Sequence, residues 1–316
     1  MSLGPKLGLS GEYRLMTRKS KSGILVEDTG WFPNLITDSG LDFFANTSGN
    51  GAVSYLAVGS GNTPPSVTDT SLVSQIAQIN ARTSSTVFSA NINVEERCWE
   101  GTFTATFANG AAEGVISEVG AKGGSNLNVS SRALVRDSMG NPTSIVVLDD
   151  EDLVLQYKVK VHQPTQDFEF TVSGRNVLAR ACMIDTLNST ANYLGWAGGL
   201  GTNAHLSFQH DTSAASGTSQ RFNGFTGGIG AVNSAPSGTR LAISSTDSAI
   251  LDPYTPGSHQ RTARRTVGTN LWNGVEIRSI VWNAGIAVFQ AEFETPITKT
   301  NLQTLRFGIG ASWGRV

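Results

Sequence analysis

The chain is poor in charge. Only 15% of its 316 residues are Asp, Glu, Lys or Arg, against about a quarter in ordinary soluble domains. Its polar surface must therefore come from Ser, Thr, Asn and Gly, which argues against long solvated helices. The 23 basic and 25 acidic residues leave a net charge of −2 and form no basic stripe, so nucleic-acid binding has no electrostatic support. Two cysteines, Cys98 and Cys182, exclude a disulfide framework by count. One bridge between the halves is open to them, but two buried free thiols are the expected state. No run approaches the roughly 20 apolar residues of a membrane span. The opening Met1-Ser-Leu-Gly-Pro-Lys-Leu-Gly lacks an apolar core of signal-peptide length. The expectation is a protein made in a cytoplasm and not inserted into a membrane.

Catalytic signatures are also missing. There is no Gly-x-Ser-x-Gly elbow and no Gly-x-x-x-x-Gly-Lys cradle. Gly227, Gly228 and Gly230 continue into Ala231-Val-Asn233 and read as turns. His205 and His210 are five apart, which on a strand sends them to opposite faces and spoils joint metal ligation. The acidic run Asp149-Asp150-Glu151-Asp152 lacks the spaced pattern of a Ca²⁺ loop and reads as an exposed hairpin end. Glu95, Glu96 and Glu100 suggest no glycosidase pair. Arg261-Thr-Ala-Arg264-Arg265, the densest basic cluster, reads as a solvated loop or as partners for nearby acids. The chain is expected to be no enzyme and to carry no cofactor or metal.

What is abundant is β-forming sequence. Hydrophobic residues make up 39%, enough for a sizeable core, and 35 glycines lie at turn-like positions. Trp99, Gly101, Phe103, Ala105 and Phe107 alternate with Glu100, Thr102, Thr104 and Thr106, the mark of a half-buried antiparallel strand. Leu153 to Val161 repeats the pattern. Strand-sized segments at 8–15-residue spacing predict an all-β chain of sandwich-like domains. At this length two are expected: an N-terminal arm over 1–30, a first domain over 31–172 and a second over 173–316. Asp38-Ser-Gly40 predicts a short helix packed by Leu41 and Phe44. Asp69 or Thr70 is read as capping a helical turn with Leu72, Ile76 and Ile79 on one face.

An internal duplication is suggested by three pairs of segments in the same order. Phe103-Thr-Ala105-Thr-Phe107 answers Phe289-Gln-Ala291-Glu-Phe293. Val119-Gly120-Ala121 answers Ile309-Gly310-Ala311, and Thr68-Asp69 with Leu72 answers Thr246-Asp247 with Ile250. The second half also concentrates aromatics, with Trp196, Trp272, Trp282 and Trp313 beside Tyr193, Phe222, Phe225 and Tyr254. Such rings hold sugars by stacking in β-sandwiches, so Trp196 and Trp272 are the candidate glycan contacts, with core packing as the alternative reading.

The first half carries Asn34-Leu-Ile36-Thr-Asp38-Ser-Gly40-Leu41, then Tyr55-Leu-Ala-Val58-Gly59-Ser-Gly61-Asn-Thr-Pro64-Pro65, then Asp69-Thr-Ser-Leu72. Arg136-Asp137 to Gly140-Asn-Pro142-Thr-Ser-Ile145 follows, running into Leu153 to Val161. Over residues 31 to 165 this order resembles tailed-bacteriophage tail, collar and fibre-type structural proteins. The resemblance implies an all-β virion component that assembles as a homo-oligomer with other virion proteins (portal, connector, tail or baseplate). It brings no active-site residues. The alternative is a host-attachment adhesin domain of a tail fibre that binds surface glycan.

Overall fold

The computed structural model describes residues 4–45, 53–81, 86–183, 222–243, 249–283 and 288–316. The chain is all-β, with one short helix among the described residues. The first part runs β1 Lys6–Lys19, β2 Leu25–Asp28, β3 Phe32–Pro33, β4 Leu35–Ile36, α1 Asp38–Phe44, β5 Tyr55–Gly59, β6 Gln75–Asn80 and β7 Thr86–Asn93. It continues with β8 Cys98–Phe107, β9 Gly114–Ile116, β10 Glu118–Lys122, β11 Val129–Leu134, β12 Ile145–Val147, β13 Glu151–His162, β14 Phe168–Val172 and β15 Arg175–Ala181. The remainder is β16 Phe222–Phe225, β17 Arg240–Ala242, β18 Ala249–Leu251, β19 Gln260–Val267, β20 Glu276–Asn283, β21 Val288–Thr298 and β22 Leu305–Arg315.

The largest sheet has the order β18-β19-β22-β1-β13-β8-β7, with β2 and β3 alongside β1. A five-stranded sheet, β4-β11-β10-β5-β6, and a six-stranded sheet, β14-β15-β21-β20-β16-β17, accompany it, with β9 and β12 as a separate pair. The strand β8 buries Trp99, Phe103, Ala105 and Phe107, as its alternation predicts. One continuous cluster of buried side chains runs from Leu7 through Phe103 and Val177 to Trp313. Tyr13 on β1 reaches Ser131 on β11 at 2.6 Å, and its ring stacks on Tyr157 of β13 at 4.5 Å. The Tyr13–Ser131 contact joins the largest sheet to the five-stranded one.

Residues 6–19 are no arm. β1 lies in the middle of the largest sheet, antiparallel to β13 from Gly8↔His162 to Lys19↔Glu151. On its other edge it pairs in parallel with β22, from Lys6↔Ser312 to Leu9↔Arg315. Leu7, Leu9, Tyr13 and Leu15 are all buried, while Ser10, Glu12, Arg14 and Arg18 are only partly covered. The charged outer set conceals an alternating strand. The division read at 172/173 falls in the turn of the β14–β15 hairpin, where Val172 pairs with Arg175. Strands β18, β19 and β22 of the second half complete the sheet built on β1, so its core draws on both halves.

The short helix is where Asp38-Ser-Gly40 placed it. Thr37 caps it by accepting from the Gly40 amide, and Leu41 and Phe44 are buried. The second helical turn is absent: Ile76 and Ile79 lie on β6, which pairs with β5. Five residues of β6 gain ladder partners there that an isolated turn could not supply. The paired segments of the suggested duplication differ in sheet surroundings. Phe103–Phe107 lies in β8 between β7 and β13, and Phe289–Phe293 lies in β21 between β15 and β20. Val119–Ala121 sits in β10 between two antiparallel neighbours, whereas β22, which carries Ile309–Ala311, is antiparallel to β19 and parallel to β1. Thr246 and Asp247 lie outside the described residues.

Candidate functional site

The Gly-Ser-Gly-Asn-Thr-Pro-Pro loop is held from beneath by a buried carboxylate. Glu118, fully buried on β10, accepts from the Gly61 amide at 3.1 Å and from the Ser74 amide at 2.7 Å through Oε1. Its Oε2 takes the Val73 amide at 3.1 Å and Arg132 Nε at 2.8 Å. Arg132, 1% exposed on β11, spends its remaining donors on Asp69 Oδ2 and the Thr63 carbonyl, both at 2.8 Å. A side chain at residue 61 would collide with the Glu118 carboxylate, because its Cβ would lie 2.4 Å from Oε1. Gly61 is thus required by close approach. Both carboxylate oxygens and all three guanidinium nitrogens have partners, which makes this pair a rigid pin under the loop.

A second polar knot binds α1 to the end of the chain. Asp42 accepts from the Tyr254 hydroxyl at 2.6 Å and the Gly257 amide at 2.8 Å, with His259 Nε2 at 3.6 Å. Trp313 donates its indole N–H to the Leu41 carbonyl at 2.9 Å and packs against Phe44 and Tyr254. Arg261 reaches the Ala45 carbonyl, and Arg315 reaches Asp38 and the Ile36 carbonyl. Arg261, Arg264 and Arg265 therefore belong to a strand, β19, rather than to a loop; Arg261 and Arg265 are buried, and Arg264 pairs with Asp252.

The acidic run closes the far end of β1. Lys19 pairs with Asp150 at 2.8 Å and Glu151 at 3.1 Å, and Arg18 pairs with Asp152 at 3.5 Å. His162 meets Ser10 at 2.9 Å, and burial holds its basicity below the usual imidazole value. His205 and His210 lie outside the described residues, as does Trp196. Trp272 is described and is no platform. It is 7% exposed, stacks on Phe222 at 6.0 Å and donates its indole N–H to the Ala242 carbonyl. A sugar needs an open ring face, and this one is covered.

Cys98 and Cys182 are both free and buried. Burial pushes each thiol up to about 12, and it raises the Tyr13 and Tyr157 phenols as well. Acids raised in this way contribute their stability in full below their unfolded values, about 8.5 for a thiol and about 10 for a phenol. That stability is lost as pH climbs toward the folded values. The urea midpoint is therefore expected to fall between about pH 8 and pH 11, and a thiol reagent at pH 8 should label neither cysteine before unfolding. Unchanged midpoints, or prompt labelling, would show these groups to be open.

A concave apolar surface lies on the six-stranded sheet. Phe168 and Phe170 on β14, Ala179 on β15, Ile280 and Trp282 on β20, Phe289 and Ala291 on β21, and Pro5 line a shallow groove of about 50 Å³ that opens to solvent, with Trp282, Phe289 and Ile280 themselves buried and Phe168 and Phe170 half-buried at its lip. Cross-strand register builds it: Phe168 faces Ala179, which faces Ala291, which faces Ile280. The two alanines form the floor between larger walls, and the lining is almost wholly apolar. Such a groove suits an aliphatic side chain better than a sugar, which needs polar partners. Strand alternation marked these residues individually, but their convergence depends on pairings between positions more than 100 residues apart. Comparison with protein-family models, curated proteins and solved structures finds no match.

Proposed function

We propose that this chain is a non-enzymatic structural protein of a tailed-bacteriophage particle, a tail, collar or fibre component that works as a homo-oligomer. The observation that carries the reading is a set of uncovered aliphatic side chains at one end of β1 and β13. After the tight turn at Gly23, Ile24, Leu25 and Val26 are 65%, 56% and 50% exposed. Successive strand residues point to opposite faces, so this hairpin is uncovered on both. The Ser20 amide ties the turn to the Asp150 carbonyl at 3.0 Å, close in sequence to Leu148 and Val146, which are half exposed. Val146 pairs with Val115, also half exposed. Grouped exposed aliphatics of this kind mark surfaces that another protein covers.

The low charge of the chain supports the same reading, because weakly charged surfaces are cheap to bury between subunits. The pinned loop at 59–74 supports it too, since it is the segment that carries the likeness to phage proteins and it is held as scaffold. Of the two candidate glycan contacts, Trp272 has its ring covered, which weighs against the glycan-binding alternative. Light scattering on the purified full chain tests the proposal. A defined multiple of 33.4 kDa is expected, and a monomer at all concentrations would overturn it.

A further inference from the structure

The exposed hairpin and the apolar groove sit at opposite ends of the same strand. Pro5, which lines the groove, immediately precedes β1, and the turn that presents Ile24, Leu25 and Val26 immediately follows it. Fourteen strand residues separate the two, a span of roughly 45 Å at about 3.3 Å per residue. The hairpin of a chain therefore cannot reach that chain's own groove. A second copy, placed head to tail, meets no such obstacle.

The charges around the two features complement one another. Lys21 and Glu27 flank the exposed aliphatics on the two arms of the hairpin and make no ion pair among the described residues. Beside the groove, Lys6 follows Pro5 and Glu169 lies on the edge strand between Phe168 and Phe170; both are exposed and neither makes an ion pair among the described residues. Glu27 on β2 can therefore face Lys6, and Lys21, which also lies in the field of Asp150, can face Glu169. The other rim charges are already used, Asp167 by Arg180 and Arg97. The backbone adds a third match, because β2 pairs only with β1 among the described residues and β14 is the edge of its sheet. Free strand edges are ready to pair.

We infer that the Ile24–Val26 hairpin of one copy pairs along the β14 edge of the next and sets one aliphatic side chain into the shallow groove beside Phe168 and Phe170. The contact is heterologous, each copy giving its hairpin at one end and its groove at the other. It generates a closed ring if the rotation between copies closes and a filament if it does not. The inference rests on the homo-oligomer reading and names the surfaces that would serve it.

Disulfide trapping between two tagged pools of full-length protein tests it. One pool carries Leu25→Cys and the other Phe170→Cys; native Cys98 and Cys182 are buried and stay out of the reaction. Mixed and oxidised, the pools are expected to yield a cross-linked heterodimer, and Leu302→Cys, 87% exposed elsewhere, should yield none with Phe170→Cys. Leu25→Asp, at an exposed position, should keep its circular dichroism and melting temperature while the mass by light scattering falls to that of one chain. An oligomer whose mass survives both Leu25→Asp and Phe170→Asp, with no trapped heterodimer, overturns this contact and leaves the oligomer reading standing. A wild-type protein that is monomeric throughout overturns both.

Discussion

A chain lacking residues 1–19 is expected to be unfolded, with no cooperative transition, rather than to be a folded protein missing a tail. β1 is paired on both edges, with β13 over twelve positions of register and with β22 over four. Its loss exposes two strand edges in the centre of the largest sheet. It also removes Leu7, Leu9 and Leu15, all at most 4% exposed, each contributing about 1.5–3 kcal/mol when fully buried. Three such side chains, with Tyr13 and its stack on Tyr157, rival the whole stability of about 5–15 kcal/mol that a typical domain possesses. Circular dichroism with urea titration of the truncated and full chains checks this. A truncated chain with a sigmoidal transition near the full-length midpoint would show that β1 is dispensable.

The second large effect is expected from Glu118→Ala. The substitution leaves Arg132 almost fully buried beside the space its partner occupied, and it removes the acceptor of the Gly61, Val73 and Ser74 amides. Breaking a buried pair from one side costs about 3–5 kcal/mol, because the remaining charge is stranded without compensation. Asp69 and the Thr63 carbonyl still hold two of the guanidinium donors, which favours the lower part of that range. The double variant Glu118→Gln with Arg132→Met should recover a share of the loss, since no buried charge then remains. Urea unfolding of the three proteins decides it, and a Glu118→Ala protein within about 1 kcal/mol of wild type would show that the loop is held by something else.

Much of the local structure was legible from residues alone. Trp99 to Phe107 and Leu153 to Val161 alternate so regularly that their strands and buried faces could be written down directly. The helix at Asp38–Phe44 was equally plain, from a turn sequence followed by two large apolar residues at helical spacing. Where the reading went astray, a local pattern had two solutions. Leu72, Ile76 and Ile79 fit a helical stripe, yet β5 offered a partner edge and the segment paired with it. Residues 6–19 alternate as well, but four charged side chains along their outer face, Lys6, Glu12, Arg14 and Arg18, gave them the look of a solvated arm.

The candidate surfaces show the same division. The aromatics of the second half were visible, but not which of them would be open. Trp272 is packed inside the fold on Phe222 and the Ala242 carbonyl, Trp282 and Phe289 stack on each other and are buried too, and the half-buried rings at the groove's lip are Phe168 and Phe170 of β14. Glu118 and Arg132 gave no local signal, because what defines them is a set of backbone amides 44 to 57 residues away in the chain.

By itself the sequence determined that this protein is all-β, weakly charged and free of familiar catalytic motifs, since composition and two-residue alternation act over a few neighbours and need no partner. Tertiary structure alone decided that the first strand lies beside the last, that the two halves share one core, and that an exposed hairpin and an apolar groove stand at opposite ends of one strand. These outcomes depend on which strand edges find one another across the chain. Backbone hydrogen bonding is the same at every residue, so no local pattern names the partner; it is chosen by the burial that the whole assembly achieves.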